Sequence, residues 1–143
     1  MVETVEQSEL FANMAYRVME EHEDLRWIPA AGISIGFLES DREKKKSGKL
    51  CLAECIKVKE LYKAYIPHDF LIVVYRPNVE GMSDRQMEVL LYHELLHIGM
   101  TDNGEEVKYI VNPHDVEEFR TIIDRYGIDW AKHSGPTTGK GKQ

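Results

Sequence analysis

The chain has 143 residues, of which 43% are apolar and 30% charged, and a formal net charge of −7. That length makes one domain the default and suffices for a core without disulfides. The acidic balance argues against a nucleic-acid partner, because binders of phosphate backbones carry basic stripes, and no apolar stretch reaches membrane-spanning length. The N-terminus lacks the apolar core of a leader peptide, so a cytoplasmic location is expected.

In chain order, Leu10, Phe11, Met14, Ala15 and Val18 recur at helical spacing, which predicts an amphipathic helix within residues 6–21. Trp27-Ile28-Pro29 then leads into Gly32-Ile33-Ser34-Ile35-Gly36-Phe37, which alternates as a half-buried strand does. The run from Asp41 to Gly48 mixes both signs of charge and reads as a solvated loop rather than a phosphate-binding patch. Leu50, Leu52, Ile56 and Val58 alternate again, predicting a second strand antiparallel to the first. Cys51 and Cys55 are four apart in that segment, hence on one face of it. They read as buried thiols rather than a disulfide or a structural zinc site. A helical turn is expected over residues 60–64, before Pro67. Phe70-Leu71-Ile72-Val73-Val74-Tyr75 has the continuous apolar, β-branched character of a well-buried strand.

The next helix carries the chemistry. Ser83-Asp84-Arg85-Gln86 has the pattern of a capping box, and Gly99 offers a C-terminal stop. Met87, Leu91, Leu95 and Ile98 form an apolar stripe suited to a core face, and His93 and His97 fall off it. Two histidines four apart on a helix sit about one turn apart on the same side, so both can reach one metal ion. Glu94 then projects beside that metal, where it can take a proton from water. His93-Glu94-Leu95-Leu96-His97 is therefore a zinc-hydrolase signature, with two ligands and a general base. The competing reading is an amphipathic helix with two surface histidines, which the capped frame disfavours.

Asp102-Asn103-Gly104 signals a turn, and residues 107–111 suit a short strand. Asn112-Pro113-His114 introduces a last helix, with Val116, Phe119, Ile122, Ile123 and Tyr126 as its apolar face. Residues 134–143 have no apolar anchor and read as a disordered tail after a single domain at 1–133. The fold class is α+β: a small, mostly antiparallel sheet of about three to four strands, covered by an N-terminal helix, the motif helix and a C-terminal helix.

A catalytic zinc takes three protein ligands and keeps a position open. His114 is the leading third candidate, because it follows a turn and directly precedes a helix that can hold it. Its neighbour Asp115 can cap that helix or bond a ligand imidazole. Glu117 and Glu118 are its rivals, ahead of Glu105, Glu106 and His133. No role is assigned to His22 or His68.

The chain resembles the phage metallopeptidase family, a group of small His-Glu-x-x-His proteins. The likeness is carried by Lys57-Val58 with Leu61-Tyr62, by Asp69-Phe70-Leu71-Ile72-Val73, and by Leu90 to Ile98. It continues in His114-Asp115-Val116-Glu117-Glu118-Phe119 and Arg125-Tyr126-Gly127, spanning roughly residues 28–130. The resemblance implies a compact zincin-like fold with His93, His97 and His114 on one zinc ion per chain and Glu94 as base. The function expected is hydrolysis of a peptide or protein substrate, with the strand 70–76 offering a backbone edge along the cleft. Tyr109 and Tyr75 are weak oxyanion donors and read as packing residues. The rival function is a zinc-stabilised binding or regulatory module that cleaves nothing. It would be signalled by loss of the base, and Glu94 is present.

Overall fold

Ser8 closes a short edge strand, β1 (Val5–Gln7), and caps the first helix, α1 (Glu9–Glu21), its hydroxyl accepting a hydrogen bond from the Phe11 amide at 3.1 Å. The computed structural model in which this is seen describes residues 3–102 and 107–112. Phe11, Met14, Ala15, Val18 and Met19 form the buried face of α1, whereas Leu10 lies on the exposed side. A helical turn, α2 (Trp27–Ala30), precedes β2 (Ile35–Ser40). The charged run is more ordered than its composition suggests. β3 (Lys45–Lys46) and β4 (Lys49–Leu50) pair as a hairpin through Ser47 and Gly48, whose φ values of 51° and 78° suit a tight turn. Lys44 and Lys46 tie this hairpin to Glu54 at 2.7 and 3.0 Å.

β5 (Ala53–Lys57) and β6 (Phe70–Tyr75) complete the main sheet, with a short 3-10 turn at Glu60–Tyr62 between them. α3 (Arg76–Val79) and the motif helix α4 (Asp84–Leu95) follow, and then the hairpin β7 (Ile98–Asp102) and β8 (Val107–Val111). The strand order is β1-β2-β6-β5. The outer pairs are antiparallel, while β2 and β6 run parallel in the register Ile35↔Phe70 to Ser40↔Tyr75.

The α+β class holds, but the sheet differs from expectation. There are three separate sheets among the described residues: a mixed four-stranded one and the two hairpins. The expected C-terminal helix and the turn at Asn103-Gly104 lie outside the described residues. The strand around Cys55 runs opposite to β2 but does not pair with it, because β6 lies between them. The cause is hydrophobicity. Phe70, Ile72 and Val74 are fully buried, and the most apolar strand takes the position where both edges are paired and both faces covered.

Alternation along the strands divides the sheet into two faces. Ile35, Phe37, Phe70, Ile72 and Val74 belong to the main core with α1 and α4, and Ala53 and Cys55 pack against it. Val73, Tyr75 and Cys51 form a smaller cluster with Leu38 on the other face. The two thiols therefore lie on opposite sides rather than one. β5 begins only at Ala53, so the even spacing from Cys51 to Cys55 does not run along a single strand. Both are free cysteines, as expected. Among the described residues no helix is long and apolar enough to cross a membrane.

Candidate metal centre

The motif helix is fixed at three points. At its start the predicted capping box forms: the Ser83 hydroxyl accepts from the Gln86 amide at 3.1 Å, and the Gln86 side chain accepts from the Ser83 amide at 2.9 Å. Along its length Met87, Leu91 and Leu95 are buried, as the stripe requires, and Val89, Leu90 and Tyr92 are buried too. Near its end the Tyr92 hydroxyl donates to Asp24 at 2.7 Å, while its ring stacks on His22 with centroids 4.4 Å apart. His22 Nδ1 lies 2.8 Å from the Val18 carbonyl, which can only accept. His22, for which sequence reasoning found no role, thus helps to hold the motif helix against the end of α1.

The helix stops four residues before the glycine expected to end it. Its last regular residue is Leu95, and the His97 amide reaches back to Glu94 O at 3.1 Å in a tightened turn. Ile98 and Gly99 belong instead to β7, paired with Val111 and Ile110. The strand pairing across the β7–β8 hairpin claims these residues before another helical turn can form. His97 therefore comes from the turn, and His93 and Glu94 from the helix.

The two imidazoles still meet. Their centroids are 5.0 Å apart with the rings perpendicular, and potential ligand atoms of His93, Glu94 and His97 all lie within 4.8 Å of one another. Glu94 and His97 are buried; His93 is half-buried. The donor set fits a divalent metal. His97 Nδ1 lies 2.5 Å from the backbone carbonyl of Asn112, which can only accept, so the proton sits on Nδ1 and Nε2 carries the lone pair. That is the tautomer in which a ligating imidazole is held by a backbone carbonyl.

Beside this cluster, α4 packs on β5. Burial pushes the Cys55 thiol up to about 12, and the negative charge of Glu94 adds to the shift. Burial likewise raises Cys51, helped by Glu54. Both cysteines stay neutral thiols at physiological pH, consistent with small apolar fillers.

His114, its rivals Glu117 and Glu118, and Glu105, Glu106 and His133 lie outside the described residues. Tyr75 sits on the sheet face away from the motif helix, and Tyr109 packs on Phe70 with centroids 5.8 Å apart. The strand 70–76 offers no edge to a peptide, since β6 pairs with β2 and β5. Sequence reasoning passed over Asn112, for no local pattern reveals a residue that reaches the motif only through pairing of β7 with β8.

A family model described as "Putative phage metallopeptidase" matches residues 3–135, which takes in α1 as well as the span carrying the resemblance. No curated protein and no solved structure matches the chain.

Proposed function

The chain belongs to the phage metallopeptidase family, and from that premise we propose that it hydrolyses peptide bonds with one zinc ion held by His93, His97 and His114. The observation that carries this reading is the convergence of two imidazoles and a buried carboxylate within 4.8 Å. His114 is favoured by tether length. Asn112 is bonded to His97 through both its amide and its carbonyl, and two further residues of chain reach at most about 7 Å.

Bound there, zinc would supply the Lewis acidity that activates water and polarises a scissile carbonyl. Glu94 is the general base: it takes the proton of the attacking water and delivers it to the leaving amine. Its burial strips away competing solvent and keeps the carboxylate aimed at the reacting atoms. His97 is oriented by its Nδ1–H bond to Asn112, and His93 is oriented by the helix. In place of β6, the substrate backbone adds along β5, the last strand of the main sheet among the described residues, which lies beside α4 and β8.

Glu94→Gln tests this reading, because it keeps shape and polarity but removes the base. Zinc content and melting temperature are expected to be nearly unchanged, while cleavage of unstructured peptides falls about 100-fold or more. Equal cleavage by both proteins would remove Glu94 from the mechanism. Zinc bound with no cleavage by the wild type of any peptide in a broad library would favour a binding module.

A further inference from the structure

We infer that Asn112 and Gly99 form a positioning pair that holds the His97 imidazole in the orientation and tautomer a metal ligand needs. This rests on the metal-site reading above. Three contacts converge from Asn112, at the exit of β8, onto the turn that presents His97. Its amide donates to His97 O at 2.6 Å, its carbonyl accepts from His97 Nδ1 at 2.5 Å, and its side-chain Nδ2 reaches Leu96 O at 3.4 Å. The first two grip the backbone and ring of the same residue, so the imidazole cannot rotate without breaking the clasp.

Gly99 makes room for it. A Cβ at position 99 would lie 2.6, 2.7 and 2.9 Å from the Asn112 side-chain oxygen, nitrogen and carbonyl carbon. Gly99 is absent from the glycines with positive φ, so its backbone would accept any residue. Space rather than conformation sets the limit here: an added methyl group has to displace the Asn112 side chain. Within a strand a glycine weakens the ladder and commonly marks the close approach of another group. Here that group is the side chain that anchors the residue clasping His97.

The test is a cycle of Gly99→Ala, Asn112→Ala and the double variant, using Co2+ alone as a spectroscopic probe. Metal-free proteins are read in parallel by long-range proton–nitrogen NMR of the histidine rings. Wild type is expected to show His97 as a single tautomer protonated on Nδ1. Gly99→Ala is expected to lose that single tautomer and to bind cobalt about tenfold or more weakly. In the Asn112→Ala background the same methyl group should cost nothing further, because the atoms it would meet are gone. Gly99→Ala with wild-type tautomer and cobalt affinity, or independent additive losses in the double variant, would overturn the inference. A lower melting temperature with an unchanged tautomer and cobalt spectrum would also overturn it, leaving Gly99 a packing role. If Gly99→Ala does not fold, Asn112→Ala, which keeps the backbone contacts and removes only the side-chain bond to Leu96 O, carries the comparison: a mixed His97 tautomer supports the inference and a wild-type spectrum overturns it. Failure of wild type to bind cobalt would refute the metal reading, while the metal-free NMR spectra would still decide the positioning claim.

Discussion

Glu94 and His97 are polar side chains enclosed in a largely apolar interior, a placement that is costly unless specific partners or a function offset it. The spacing of His93 and His97 was legible because the i, i+4 rule is local, although the helix itself ends at Leu95 and the turn after it presents His97. The carbonyl that fixes the His97 tautomer was not legible, since Asn112 lies 15 positions away. Two predictions belong to this scale. His114→Ala should weaken zinc in a chelator competition series at least tenfold more than Glu117→Ala or Glu118→Ala; a reversed order would assign the third ligand to a glutamate. Cys55, with its thiol raised to about 12 by burial first and Glu94 second, should alkylate at pH 8 about thirty- to sixtyfold more slowly than in the unfolded chain. The thiolate fraction falls by about three orders of magnitude, and the greater nucleophilicity of a more basic thiolate returns part of it. Equal rates, read by mass spectrometry, would place that thiol in solvent.

The elements of the chain divide by whether their signals are local. The start of α4 was readable from Ser83 and Gln86, and β6 from its continuous apolar run, because capping and burial leave marks within a few residues. The end of α4 and the edges of β2 and β5 were not, because strand pairing decides them. The β3–β4 hairpin was read as a loop because its charges are satisfied by Glu54, a residue outside the run. Burial of most of α4 from Gln86 onward implies that the helix is held by packing more than by its caps. Leu91, fully buried at its centre, makes the test. Leu91→Ala should lower unfolding stability by about 2–5 kcal/mol in urea titrations. A loss under about 1 kcal/mol would mean that the helix does not rest on the core as described.

At the scale of the molecule, the class could be inferred from the order of helices and strands, but the strand order could not. A parallel β2–β6 pair joins segments separated by the hairpin, β5 and a turn; the apolar run of β6 marks it as buried, but nothing in the sequence between announces that its parallel neighbour is β2. That topology matters for function. With β6 enclosed, β5 is the last strand of the main sheet among the described residues, beside the motif helix, while the β7–β8 hairpin brings Asn112 to His97. A metal binding the folded chain should also stabilise it, by about 2.7 kcal/mol at a hundredfold excess over its dissociation constant. The most direct test of the central claim is metal content: elemental analysis of the purified chain beside the His93→Ala/His97→Ala variant. One zinc per wild-type chain and none in the double variant is the predicted result. Stoichiometric zinc persisting in the variant, or wild type that binds none when zinc is supplied, would contradict it.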